Sequence, residues 1–291
     1  MALESYSELN FIGEEEKIIR MENEEITKEE NERIEEGDLC KKIWPSLQIF
    51  FDDIPTYQGK GKLSGCANPE TIKAVRESEA NIADKKEKER TINFPFVCEK
   101  IIIGYLHKNI NSEEMQKAIK EKLIKDRLIK AEDNIKVEIQ QASPYDDRME
   151  GTDAFLVVKR LNENKEELIK AIPIQITTAI AQDVLQKKMQ QTEKNQGILL
   201  TVKAGTVRLL VEKYLEYYNS FIKKEENSSM INEALLKIND KELKNKIKSE
   251  LVPPWDYFES QDIVRNDDLE KIKKEGEEIK QQFFYGMKER L

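Results

Sequence analysis

Three oxygen-bearing residues in the middle of the chain have the types and spacing of a divalent-metal site. Asp153 precedes the apolar run 154–158, whereas Gln175 and Thr177 alternate with isoleucines farther along. Because side chains on one face of a strand repeat every second residue, Gln175 and Thr177 share a face. Carboxylate, amide and backbone carbonyl oxygens suit Mg²⁺. A Mg²⁺ ion at such a site could polarise a phosphodiester and activate a water molecule.

A hairpin between segments 153–159 and 168–178 would bring two of these residues together. If the hairpin is centred on Asn164, Asp153 lies directly opposite Gln175. Directly opposed residues have Cβ atoms about 5 Å apart. The sequence therefore predicts that a carboxylate and a carboxamide meet at the open end of this hairpin.

A further candidate, Glu99, lies inside a segment that is apolar on almost every face, which is typical of a buried helix. Glutamate is seldom buried without a partner. Its carboxylate either approaches Asp153 and Gln175 or pairs with a structural lysine or arginine. The other candidates also have simpler alternatives, because Asp153 could be a turn acid, and Gln175 and Thr177 could be ordinary strand residues.

The elements that must position these residues are predicted in the order helix, strand, strand, strand, helix, strand. A cap at Asn93 with Pro95 behind it begins the buried helix, and the residues from Asn111 to Glu114 predict a capping box for a helix to about Lys130. Pro173 cannot donate to a ladder, so it predicts an irregular spot or an unpaired side of its strand. The remaining predicted elements are strands at 134–142, 153–159 and 168–178, a helix at 179–191 and a strand at 198–203.

This order of elements, with D-D-R-M-E-G-T-D-A-F leading into one strand and I-P-I-Q-I-T in the next, resembles the core of PD-(D/E)XK nuclease-like proteins. The resemblance covers about residues 93–205. It implies an α/β fold with a restriction-endonuclease-like mixed-sheet core, and helical N- and C-terminal extensions around it. It also implies a Mg²⁺ (or Mn²⁺) site. The ligands would be Asp153, Gln175 at the family's acidic position, the Ile176 carbonyl and the helix acid Glu99, with Asp147 assisting.

The chain departs from the family pattern at Thr177, which stands where the family has a lysine. That lysine orients or deprotonates the attacking water and neutralises phosphate charge, and threonine cannot supply the charge. Lys187 or Lys188 on the following helix could reach in, since lysine stems are long. The alternative for both lysines is a solvated helix face.

These residues leave three function hypotheses open. The first is Mg²⁺-dependent phosphodiester hydrolysis of DNA, with Glu99, Asp153, Gln175, Thr177 and Lys187 as the catalytic set. The second is a catalytically inactive nuclease-like module that binds nucleic acid or a protein partner, which Thr177 favours. The third is an interaction protein whose long helices, including those of the C-terminal region, are its working surface.

The charge distribution divides the chain. Residues 1–40 hold 14 of the 57 acids and 4 of the 48 bases, so the rest of the chain, with 43 acids and 44 bases, is nearly neutral. We expect the acidic part to be a solvated tail, partly disordered or helical. Four segments are predicted: an acidic extension (1–42), a packing arm and a helix to about residue 90 (43–92), the nuclease-like core (93–205) and a helical region (206–291).

Composition also limits the class of protein. No apolar run approaches the roughly 18 residues that cross a bilayer, and the acidic N-terminus lacks a secretion-signal pattern. Three cysteines without a CxxC spacing do not form a disulfide framework. These features predict a cytoplasmic protein without a membrane partner. The single histidine, His107, is expected to be structural, and the pairs Asp52-Asp53 and Asp146-Asp147 are expected to be turn acids.

Overall fold

A computed structural model gives the architecture of the chain. The N-terminal residues 1–34, the predicted helix near 69–90 and the candidate Asp147 lie outside the described residues. The structure describes residues 35, 37–57, 93–143, 146, 151–162, 165–178, 181–236, 240–259 and 267–291.

The elements follow the order that the sequence predicts for the middle of the chain, with helices before and after it. The first helix, α1, covers residues 37–51 and crosses the predicted boundary at residue 42. The elements after it are α2 (Phe94–Ile110), α3 (Glu113–Lys125), β1 (Ile135–Gln141), β2 (Ala154–Asn162), β3 (Lys165–Thr177), α4 (Gln182–Lys194), β4 (Ile198–Thr201), α5 (Ala204–Ile222), α6 (Glu225–Leu236), α7 (Lys241–Glu250), a 3₁₀ helix (Pro254–Phe258) and α8 (Asp267–Arg290).

The four strands form one mixed sheet in the order β1-β2-β3-β4. Strand β2 is antiparallel to both β1 and β3, and β4 runs parallel to β3 after the helical crossover through α4. The prediction of a mixed α/β fold is therefore confirmed. One face of β3, with Ile172, Ile174 and Ile176, joins the main hydrophobic core, whereas Phe155 and Val157 on the other face of the sheet pack in a small second cluster with Tyr57.

The hairpin has the register that the alternating pattern predicts at its open end. Ala154 pairs with Ile174, and Val158 still pairs with Lys170, as expected for a hairpin centred on Asn164. Beyond Val158 the register shifts by one residue, so Lys159 pairs with Leu168. A bulge of this kind leaves one extra residue in β3. The strands also continue to Asn162 and Lys165, farther than predicted.

Pro173 lies in a central strand, yet its missing N–H removes no ladder bond. Thr177 accepts from the N–H of Val202, so odd-numbered residues of β3 direct their backbone groups toward β4. The ladder with β4 begins only at Ile174, one residue after the proline. The nitrogen of Pro173 therefore points to the β4 side of β3 at a position that β4 does not pair, as the sequence predicts. A proline is tolerated there because no partner strand requires a donor.

Helix α2 is buried around most of its circumference. Its N-cap Asn93 accepts the N–H of Phe96 at 3.0 Å, and the prediction of this helix is confirmed. Next to it, α3 differs from the prediction at both ends. Ser112, not Asn111, is its N-cap, and the helix ends at Lys125, where the positive φ of Arg127 follows. Within the described part of the chain, no helix combines the length and apolarity that crossing a membrane requires.

The main core joins helices from both ends of the described chain to the sheet. It includes Ile43 and Leu47 of α1 together with Ile272 and Phe283 of α8. Polar contacts also join residues that are far apart in the sequence. The hydroxyl groups of Ser46 and Tyr214 are hydrogen-bonded at 2.8 Å. Lys244 Nζ donates to Asp52 Oδ2 at 2.7 Å. Both ends of the described chain therefore contribute to one packed interior.

Tyr105 on α2 has a fully buried hydroxyl group that makes no hydrogen bond to any described residue. A buried polar group without a hydrogen bond costs the folded state about 1 to 3 kcal/mol of desolvation free energy, and a variant that lacks the hydroxyl avoids this cost. We expect Tyr105→Phe to keep or raise the free energy of unfolding, measured by urea denaturation. A matched change, Tyr214→Phe, removes the hydroxyl that bonds to Ser46 and should lower it by about 1 kcal/mol. Equal losses in the two variants would contradict this expectation.

Candidate functional site

A group of buried polar side chains lies at the open end of the β2–β3 hairpin. Ser143, Asp146 and Thr152 come from the segment between β1 and β2, whereas Gln175 and Thr192 come from β3 and α4. Buried polar groups require hydrogen-bond partners, so their concentration at one end of a sheet marks a candidate site. We call these five residues, together with the half-buried Asp153, the polar cluster.

Asp153 and Gln175 lie at the same end of the hairpin, where the regular pairing of β2 and β3 stops. The last residue pair of the ladder is Ala154 with Ile174. The N–H of Asp153 also donates to the carbonyl of Ile174, at 2.9 Å, whereas an unbroken register would pair Asp153 with Gln175. The direct opposition of this carboxylate and carboxamide therefore stays a prediction.

The Asp153 carboxylate is engaged inside the fold. Its Oδ2 accepts the backbone N–H of Ile176 at 2.5 Å. This bond closes the end of the hairpin where β2 no longer supplies a backbone acceptor. A hydrogen bond from an N–H to an ionised carboxylate is among the stronger bonds in proteins. The Asp153 carboxylate therefore has a structural role at the end of the hairpin.

The Gln175 carboxamide is also engaged. Its Oε1 lies 2.6 Å from the hydroxyl of Thr192, whose single proton is shared with the carbonyl of Lys188 at 2.8 Å. Gly151 adopts a φ of +60° beside it, and a Cβ at that position would lie 3.1 Å from the Gln175 amide nitrogen. The glycine therefore supplies both the backbone conformation and the space. Gln175 fastens α4 to β3 through this contact.

Glu99 has a cation partner next to it in sequence. Lys100 Nζ lies 2.9 Å from Glu99 Oε1, and both side chains are largely buried. The ammonium also lies over the rings of Phe51 and Phe96, at 4.7 and 5.0 Å from their centroids. The carbonyl of Phe51 also accepts from the side chain of Gln141 at the end of β1. This pair agrees with the second of the two predicted alternatives for Glu99, a buried acid that pairs with a lysine.

Three candidates concern the motif lysine of the family: Thr177, which stands in its place, and Lys187 and Lys188, which could replace it. Thr177 is buried at the end of β3 and follows Gln175 on the same face. Lys187 is exposed on α4, whereas Lys188 is half-buried. Lys188 precedes Thr192 by one helical turn and so shares its face of α4. Of the two lysines, Lys188 is therefore the one on the Gln175 side, although the catalytic set predicted from the sequence names Lys187.

No protein-family model, no curated protein and no solved structure matches this chain. The site is therefore interpreted from its own contacts.

The predicted turn acids and the histidine have structural partners. Asp52 and Asp53 follow α1 in a turn and pair with Lys244 and Lys248 of α7. His107 Nδ1 lies 3.1 Å from the carbonyl of Ile139, which fits the predicted structural role.

Asp146, the other predicted turn acid, is buried and has helical backbone instead of a turn. Its carboxylate accepts the hydroxyl of Ser143 at 3.0 Å, and its own N–H donates back to that hydroxyl. Its carbonyl accepts from the N–H of Thr152, which holds the connection next to Asp153. Asp146 thus bonds to residues on both sides of it, Ser143 and Thr152.

The donor groups do not fit a Mg²⁺ site as they are arranged. Among the described residues, no three His, Cys, Asp or Glu side chains gather as metal ligands would. Gln175 is neutral, and Lys100 compensates the charge of Glu99. Mg²⁺ binding in proteins relies on carboxylate charge and on octahedral geometry around a hydrated ion. Binding of Mg²⁺ or Mn²⁺ by Asp153, Gln175, Ile176 and Glu99 stays a prediction.

Sequence reasoning missed part of the polar cluster because its members are distant in sequence. Thr192 is the only buried residue of α4, and it completes the stripe of Leu185 and Lys188 at helical spacing. A polar residue in the inward stripe of a surface helix was the available signal. Ser143 gave a weaker one, as a serine three residues before an aspartate in a turn-forming segment.

Proposed function

We propose that this chain is a restriction-endonuclease-like module that binds nucleic acid without hydrolysing it. The observation that carries the proposal is that the oxygen ligands expected to hold a metal are hydrogen-bonded within the fold. Asp153 accepts from Ile176, and Gln175 bonds to Thr192. Hydrolysis would require a catalytic metal, and one oxygen of each of these two side chains is already used in a bond within the fold.

The sheet supports the restriction-endonuclease-like part of this proposal. One helix, an antiparallel three-strand meander, a crossover helix and a parallel fourth strand agree with the order that the resemblance implies. Asp153 directly precedes the second strand and Gln175 lies within the third, which agrees with the order that the resemblance implies. A fold does not fix an activity, so the polar cluster and its surroundings carry the functional argument.

The nucleic-acid part of the proposal rests on α4. The bond between Thr192 and Gln175 holds this helix at the polar cluster, and Lys187 and Lys194 are exposed on it. Lys188 lies between them on the side of Gln175. Lysines that contact phosphates release counterions and give binding that weakens with salt. The helix thus offers cationic contacts beside a site that lacks the family's motif lysine.

The test compares two double variants in binding of a fluorescent duplex DNA at several salt concentrations. Lys187→Ala/Lys188→Ala should reduce the slope of log K against log salt by about 2, because each lost phosphate contact removes about 1. Lys223→Ala/Lys224→Ala, which removes two exposed lysines after α5, should leave the slope unchanged. Equal slopes for wild type and both variants, or no binding by the wild type, would contradict the proposal.

A cleavage assay with Mg²⁺ or Mn²⁺ on the same DNA completes the test. We expect no cleavage by the wild type beyond that of Asp153→Ala. Cleavage by the wild type that Asp153→Ala abolishes would instead establish metal-dependent hydrolysis.

That hydrolysis is the second candidate function, and the location of two candidate ligands favours it. Asp153 and Gln175 both lie at the open end of the hairpin, where the resemblance implies metal ligands. In this alternative, binding of the metal would have to displace the Thr192 hydroxyl from Gln175. A cytoplasmic location belongs to either proposal and stays a prediction.

A further inference from the structure

The outer edge of β4 carries backbone groups that β3 does not use. Strand β4 is the last in the sheet order, so only one of its sides is paired with another strand. Val202 directs its N–H to Thr177 of β3. Because the direction alternates along a strand, Leu199 and Thr201 direct their N–H and C=O groups outward.

Gln282 of α8 already pairs with part of this edge. Its Nε2 donates to the carbonyl of Thr201 at 3.1 Å, and its Oε1 accepts the N–H of Thr201 at 2.9 Å. The side-chain amide thus occupies the place of a peptide group in a neighbouring strand. Two residues earlier, the outward groups of Leu199 have no hydrogen-bond partner within the described ranges.

Leu199 lies at the floor of a groove between α4 and α8, with a volume of about 350 Å³. Large apolar side chains stand exposed on both walls. Met189 of α4 is 55% exposed, and Tyr285 of α8 is 67% exposed. Unpaired edges and exposed apolar side chains are features that soluble proteins usually cover. Their occurrence together indicates a binding surface.

The groove has an acidic side. Arg290 forms an ion pair with Glu193, and its guanidinium hydrogen bond holds the pKa of the Glu193 carboxyl below its ordinary value. Glu289 forms no ion pair with a described lysine or arginine. A hydrogen bond to Glu289 and its negative charge raise the pKa of Tyr285. One carboxylate charge therefore remains uncompensated at the α8 wall.

We propose that this groove binds one extended peptide segment of a partner protein, which adds a strand beside β4 and brings a basic side chain to Glu289. The peptide backbone would bond to Leu199, and apolar side chains would contact Met189 and Tyr285. Strand addition of this kind obtains affinity from main-chain bonds and specificity from alternate side chains. The groove uses α8, within the C-terminal region for which the sequence predicts a protein partner.

The shape and charge favour this occupant over two others. The groove lies between α4 and α8 of one chain, and a second copy would have to bring its own β4, with the helices on either side of it, into that space. The groove is also small for a stable dimer, which buries about 1,200 Å² or more. Nucleic acid lacks the peptide groups that match a strand edge, and the Glu289 carboxylate repels phosphate.

The experiment selects peptides from a phage-displayed random heptapeptide library on the full chain and measures their affinity by fluorescence anisotropy. Leu199→Pro removes the outward N–H and leaves the ladder with β3 intact, which an edge position tolerates. We expect it to weaken binding about tenfold, as the loss of one bond worth about 1.4 kcal/mol would. The matched variant Leu199→Ala keeps the N–H and should change binding less than about threefold.

Two wall variants keep the test decisive if Leu199→Pro does not fold. Tyr285→Ala should weaken binding, and Glu289→Gln should reduce the preference for lysine or arginine in the selected peptides. Failure to enrich any peptide, equal binding by all variants, or selected peptides without basic residues would overturn the proposal. A concentration-dependent dimer in sedimentation that Leu199→Pro dissociates would overturn it in favour of a second copy.

Discussion

Gly104→Ala should lower the free energy of unfolding by about 3 kcal/mol, the upper part of the usual range for overpacking a core. Gly104 lies in the middle of α2, against the indole of Trp255. An added Cβ would lie 2.2 to 2.6 Å from three ring atoms of that indole. Real carbon atoms do not approach this closely, so the ring or the helix would have to shift.

The surroundings prevent an easy shift. Trp255 is 7% exposed, and its ring packs edge-on against Phe50 of α1 at 5.9 Å between centroids. Movement of the indole would therefore disturb the contact that joins α1 to the 3₁₀ helix. Close-packed interiors transmit such strain to their neighbours.

Gly205→Ala is the matched control for this prediction. Gly205 lies in the first turn of α5, and no atom lies within 4 Å of its hypothetical Cβ. Alanine in a helix loses less backbone entropy than glycine, so this change should be neutral or stabilise by up to about 1 kcal/mol. Urea denaturation followed by the fluorescence of the two tryptophans measures both variants. Equal stability of the two would show that α2 and Trp255 are not packed as described.

Asp153→Ala should lower the free energy of unfolding by about 2 kcal/mol. The change removes the carboxylate that accepts the Ile176 N–H and leaves that donor without its partner at the end of the hairpin. Hydrogen bonds to charged groups contribute about 1.5 to 3 kcal/mol. Asp153→Asn keeps an acceptor oxygen and should lose only part of this stability.

The sign of the Asp153→Ala effect tests the structural role of this carboxylate. A carboxylate kept for metal chemistry commonly costs stability, so its removal would leave the fold unchanged or stabilise it. Asp183→Ala, at the exposed first turn of α4, is the control and should change stability by about 0.5 kcal/mol or less. Thermal and urea denaturation without metal measure all three variants. A stability gain in Asp153→Ala would contradict the structural role of this carboxylate.

The hairpin register could be predicted from the sequence because side-chain direction alternates strictly. The isoleucines of β3 must face the core, so Gln175, which alternates with them, must face the other side of the sheet. The bulge beyond Val158 could not be predicted. Residues 165–168 lie in an exposed part of the hairpin, where no buried face determines the register.

The partners in the polar cluster were harder to predict than its first two members. Alternation gives the face of a side chain, but it does not give the helix that covers that face. The Gln175 to Thr192 bond joins residues on different elements, and only their packing brings them together. The Glu99 to Lys100 pair joins neighbours in sequence, yet adjacent helical residues do not normally face each other. Lys100 lies over aromatic rings from two helices, which the sequence could not reveal.

Helices α1 and α8 contribute to the same hydrophobic core, which has a consequence for how this chain folds during synthesis. Asp52 meets Lys244 across 192 residues of sequence, and Ser46 meets Tyr214 across 168. During synthesis, α1 leaves the ribosome long before its partners, so its apolar face stays uncovered until they have been made. Contacts between such distant residues slow folding and leave apolar surface uncovered in the meantime. We therefore expect the newly made chain to rely on chaperones until its last helix has been released.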